Sequence, residues 1–142
     1  MPLPSGPAGA RAGLRILVVE DEVMISSMIE DMLSELGHRI VGFAASVEEA
    51  ARQAADADFD AALLDVNLPD GSIEPIAAAL ERRGKPFAFT TGLSDRAIPP
   101  AFKHRPVLRK PYRLGELDDV LARIDQRPQT PGRTEIRRSA PQ

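Results

Sequence analysis

The sequence contains no cysteine and only two histidines, His38 and His104, well separated in the chain. Disulfides, thiolate metal sites and cysteine nucleophiles are therefore excluded, and a histidine metal cluster has too few members. Any metal must be held by oxygen. No stretch approaches the roughly 20 apolar residues of a membrane helix, and the N-terminus lacks the continuous apolar core of an export signal. The expectation is a cytoplasmic protein with no membrane segment. No internal repeat breaks the chain into units. Its net charge of -3 gives no general reason to expect nucleic-acid binding.

What is present amounts to one core. The 142 residues, 43% hydrophobic, suffice for a single domain and leave no room for a second. Residues 1–13 and 127–142 are rich in Pro, Gly, Ser and Arg and read as disordered extensions, the latter a solvated Arg-containing tail. Between them, over 14–126, apolar runs alternate with helical spacing. LRILVV (14–19) reads as a strand, and Ile25, Met28, Ile29, Met32, Leu33 and Leu36 then recur at helical intervals up to Gly37. RIVGF (39–43), FDAALL (59–64), PFAFTT (86–91) and PVLR (106–109) are further strands. Helices follow each of these except PFAFTT, the fourth strand of the chain: one opens at Ser46 with Glu49 placed for a capping box, one runs from Ile73 to near Gly84, and one spans Arg113 to Asp125. After the fourth strand, residues 92–105 carry Pro99 and Pro100, which allow two helical turns at most, and little apolar content. Met24, Met28 and Met32 fit a core stripe, and both histidines read as structural or surface residues.

Such alternation predicts an α/β fold, a doubly wound five-stranded parallel sheet of order 2-1-3-4-5, with a shortened or irregular fourth helix. Ligands bind such sheets beyond the carboxyl ends of the strands, where the winding reverses. The residues there are Glu20, Asp21 and Glu22 after the first strand, Asp65 at the end of the third, Thr90 and Thr91 on the fourth, and Lys110 and Pro111 after the fifth. Crowded carboxylates raise one another's pKa unless a cation shares them, and a hard divalent ion takes oxygen ligands. Lys110 and a threonine hydroxyl suit phosphoryl oxygens, and Asp65, central among these groups, suits a nucleophile. Singly, each has a plainer role: acids on a helix dipole, a turn aspartate, a strand threonine, a solvated lysine. Together, in order at successive strand ends, they favour a site. The acidic EDEVM loop lacks the Gly- or Ser/Thr-rich cradle that a flavin or nucleotide wants.

VVEDE (18–22), LLDVNLPDG (63–71), FTTG (89–92) and RKPY (109–112) resemble the motifs of the receiver domain of two-component response regulators, over about 14–126. The resemblance implies a flavodoxin-like fold with Asp65 as phosphoacceptor. Glu20, Asp21, Asp65 and the main-chain carbonyl of Asn67 would form a site for Mg2+ or Mn2+. Thr91 would be the switch hydroxyl, Lys110 the phosphate-binding lysine, and Pro111 would follow a cis peptide bond. It further implies a sensor histidine kinase or histidine phosphotransfer protein as donor, an unknown downstream protein and no turnover chemistry. A pseudo-receiver working without phosphorylation is the alternative. Receivers usually carry an aromatic residue three positions before the lysine, where this chain has Val107. The PFxFxTG-like strand, the short segment before the fifth strand and the expected lack of an output or DNA-binding domain resemble single-domain receivers of alphaproteobacterial stress signalling.

Overall fold

Each apolar run closes as a short strand: β1 (Arg15–Val19), β2 (Arg39–Ala44), β3 (Ala61–Asp65), β4 (Phe87–Thr91) and β5 (Val107–Arg109). The structure, a computed structural model, describes residues 11–92 and 95–128. All pairings are parallel and the strand order is β2-β1-β3-β4-β5. The helices are α1 (Val23–Glu35), α2 (Val47–Asp56), α3 (Glu74–Arg82) and α4 (Leu114–Ile124). No described helix is long and apolar enough to cross a membrane.

Because successive strand residues face opposite sides, β1, β3 and β4 bury both faces of the sheet, while the edge strand β2 leaves Val41 and Phe43 exposed. Ile16, Val18, Leu63, Ala88 and Leu108 pack with Ile29 and Leu33 of α1 and with Leu117, Val120, Leu121 and Ile124 of α4. Leu17, Val19, Ala62, Leu64, Phe87 and Phe89 face the other way, onto Ala50 and Ala54 of α2 and Ile76, Ala77 and Leu80 of α3. The alanines of α2 let that helix lie close to the sheet. Its start is fixed by Ser46, whose hydroxyl accepts from Glu49 N at 3.1 Å. The Glu49 carboxylate reaches back to Ala45 N at 2.8 Å, one residue beyond the expected partner. Asp70, in the loop after β3, sets both carboxylate oxygens 3.0 Å from Val47 N, so that loop is tied to the first turn of α2.

The segment after β4 contains two 3-10 turns, Asp95–Ala97 and Pro100–Phe102, in place of an α-helix. Its apolar content proves sufficient to anchor it. Ile98 and Phe102 are buried, and the Phe102 ring meets Phe87 edge-on at 5.8 Å. Arg105 lies over the Phe87 ring, 4.4 Å from its centroid, and pairs with Glu81. Residues 93 and 94 of the stretch lie outside the described residues. The methionine stripe is corrected at its first member: Met24 is 83% exposed, and in that first turn of α1 it is Ile25 that packs against the core.

Packing continues past residues 14 and 126. Gly13 N donates to Gly37 O at 2.8 Å, and Arg127 N and Nε bind Asp125. Arg11 donates to the carbonyls of Arg127 and Pro128, each at 2.7 Å. Gly37 holds a left-handed φ of +87°, and a Cβ there would lie 2.9 Å from that of Ala12, so both conformation and space require glycine. His38, next to it, is buried and accepts from Leu14 N at its Nδ1, 3.1 Å away. The rest of the 1–13 and 127–142 extensions lies outside the described residues.

Candidate active site

The β3–β4 register sets Asp65 beside Thr90, the β4–β5 register sets Thr91 beside Arg109, and Lys110 N donates to Thr91 O at 2.8 Å. Strand pairing itself therefore delivers the polar residues to one rim. There, Asp21, Glu22, Ile25, Asp65, Asn67, Gly92, Lys110 and Pro111 line a cleft of about 490 Å³.

Asp65 is 2% exposed, and a buried carboxylate must be partnered. Its Oδ1 accepts from Asn67 N at 2.8 Å and its Oδ2 from Lys110 Nζ at 3.2 Å. Lys110 Nζ also lies 2.9 Å from Glu20 Oε1, an ion pair close in distance but poorly aligned as a hydrogen bond. Glu20 is fully buried beneath the cleft, its Oε2 accepting from Glu22 N at 3.0 Å. Burial pushes the Glu20 carboxyl up, and Lys110 and the Glu22 amide only partly offset this. Burial opposes the Lys110 charge, but Glu20 and Asp65 outweigh it and hold the ammonium above its ordinary pKa.

One ligand atom from each of Glu20, Asp21 and Asp65 lies within 4.8 Å of the others. Three carboxylates against the single Lys110 ammonium leave two uncompensated negative charges, all on oxygen. That donor set fits a hard divalent cation. Glu22, at the N-cap of α1, makes no side-chain cap bond.

Thr91 is buried, and its hydroxyl donates to Asn67 Oδ1 at 3.3 Å; Gly92 N approaches the same oxygen at 3.5 Å. This use of the Asn67 carboxamide was not legible from the sequence, which points only to its main chain. Tyr112 is a second surprise. It is buried, its hydroxyl has no hydrogen-bond partner among the described residues, and burial, then the charges of Glu20 and Asp65, raise its pKa. The Lys110–Pro111 peptide is cis. All the expected site residues thus meet at one rim, with Asp21 and Asp65 on the cleft and Glu20 below it.

Residues 16–92 match the response regulator receiver domain family. The chain belongs to that family. Among solved relatives of this receiver is SdrG from Sphingomonas melonis Fr1, 41% identical, with a TM-score of 0.72 over 80% of this chain and 98% of SdrG. The receiver domain of the sensor histidine kinase PA1611 from Pseudomonas aeruginosa PAO1, described with a magnesium ion coordinated in its active-site cleft, is 27% identical. Its TM-score is 0.64, over 80% of this chain and 98% of that domain. Among curated proteins, the phyllosphere-induced regulator PhyR of Methylorubrum extorquens is 28% identical over 115 residues, 75% of this receiver and 42% of PhyR. The chain spans about half the length of the curated relatives it matches.

Proposed function

We propose that this receiver accepts a phosphoryl group on Asp65 from a phosphohistidine of a sensor histidine kinase or histidine phosphotransfer protein. The observation that carries the reading is Asp65 itself: an acid at the floor of an open cleft, held by Lys110 and the Asn67 amide and flanked by Asp21. In the transfer, an Asp65 carboxylate oxygen forms a bond to phosphorus as the phosphorus–nitrogen bond breaks, and the electron pair leaves with the donor imidazole, which then takes up a proton. The Lys110 ammonium, already beside Asp65, pairs with a phosphoryl oxygen, and Thr91 supplies a hydroxyl donor to another. Asp21, Asp65 and the Asn67 carbonyl, with Glu20 behind them, would hold Mg2+ or Mn2+, whose positive charge offsets that of the phosphoryl oxygens when bound. A nucleophilic carboxylate set among charge stabilisers suits a phosphoaccepting signalling domain. Output would run through contact with a downstream protein, or the domain would serve as a phosphate sink, within the cytoplasm.

Acetyl phosphate with Mg2+, followed by intact mass, tests the reading. One phosphoryl mass is expected on the wild type and none on Asp65→Asn; equal labelling of both would overturn it.

A further inference from the structure

The phosphoryl chemistry proposed above leaves the Asn67 side chain without a task. Its main-chain carbonyl belongs to the metal set and its main-chain N–H to Asp65, yet the carboxamide reaches across the rim to β4. There a single oxygen, Oδ1, faces two donors: the Thr91 hydroxyl at 3.3 Å and the Gly92 amide at 3.5 Å. A carboxamide oxygen has two lone pairs and serves both. A hydroxyl, in contrast, carries one proton. Thr91 cannot give it to Asn67 and to a phosphoryl oxygen at the same time.

We propose that the Asn67 carboxamide is the resting-state latch of the chain after β4: it occupies the Thr91 hydroxyl and the Gly92 N–H until a phosphoryl group on Asp65 takes them over. The inference rests on the Asp65 reading and assigns Asn67 a positioning role that acts through Thr91. Three features suit a latch. Both contacts lie at the long end of the hydrogen-bond range, so they are weak enough to be exchanged. Gly92 is exposed and lines the cleft, and a Cβ there would find its nearest neighbour at 3.7 Å, so the chain has room to shift. The partner side is fixed, since Asn67 is bound to Asp65 and Asp70 to α2. A change of donor therefore displaces β4's end and leaves the β3 loop in place. Val107, partly buried against the core, offers no aromatic ring to report the same event, which gives the hydroxyl exchange more weight in this chain.

Beryllofluoride with Mg2+ serves as the phosphoryl probe, and backbone amide NMR as the readout. In Asn67→Ala, the free protein's Gly92 amide should move toward its beryllofluoride-bound position, and half-saturation should fall by about threefold to tenfold, the worth of one or two weak hydrogen bonds. Asn67→Asp keeps an oxygen acceptor and should keep the wild-type free-state Gly92 resonance, which distinguishes the latch from a general loss of structure. In a Thr91→Val background, the effect of Asn67→Ala on half-saturation should shrink. An unchanged free-state Gly92 resonance and half-saturation in Asn67→Ala would overturn the latch while wild-type binding upheld the Asp65 reading. Failure of the wild type to bind beryllofluoride or to take label from acetyl phosphate would remove that reading, and the latch with it.

Discussion

Lys110 balances two carboxylates that are themselves shut away from water, Glu20 at 1% and Asp65 at 2% side-chain exposure. Removing a charge from such a cluster leaves its partners buried and unpaired, which costs far more than a surface ion pair contributes. Lys110→Met should therefore destabilise the metal-free protein by roughly 3 kcal/mol in urea unfolding. Added Mg2+ should restore part of that loss by supplying the missing charge. Asp21, at the cleft wall, has the opposite character. Asp21→Asn should leave unfolding nearly unchanged and weaken Mg2+ binding by about tenfold in calorimetric titration, because one anionic oxygen ligand is lost. The sequence, through its resemblance to receivers, set Glu20 and Asp21 apart from Glu22 but did not rank the two against each other. Only the folded rim shows that Glu20 turns under Lys110 while Asp21 faces the opening.

Strands and helices were legible where period and punctuation agreed. The apolar runs became strands within two residues of their expected limits, most plainly in β3 and β4, which are buried along their whole length. Asp65 could be found for the same reason: it is the first charge after a run that must be buried. The segment between β4 and β5 was less legible. Pro99 and Pro100 signal a broken helix correctly, but a sum of apolar residues cannot reveal that Ile98 and Phe102 both point inward. A 3-10 turn brings such residues together without a full amphipathic face. Phe102→Ala should consequently cost about 3 kcal/mol in urea unfolding, through the cavity left against Phe87. A mobile, unanchored segment would lose almost nothing. The Asn67 contact with Thr91 was beyond sequence reasoning because it joins the loop after β3 to the end of β4 through a side chain with no periodic signature.

At the scale of the whole molecule, the two ends of the described chain meet below the sheet, where Arg11, Asp125 and Arg127 interlock beside His38. Burial, then the positive charge of Arg127, lowers the His38 pKa against the opposing pull of Asp118 and Asp125. The folded state thus resists a proton that the unfolded chain accepts near the ordinary histidine value of 6.5. Stability from this group is complete above that value and declines as pH falls from it toward the depressed folded pKa. Urea midpoints of the wild type should drop over that interval more than those of His38→Gln, which has no proton to gain. The opposite end of the molecule carries the tie between Asp70 and α2. In measuring terms, that tie makes the β3 loop a fixed datum: displacement at the β4 side can be read against it. Because the chain has no native thiol to compete, one cysteine at exposed Glu74 and another at exposed Ala97 would carry two dyes and turn the cleft into a ruler with its zero already bolted down.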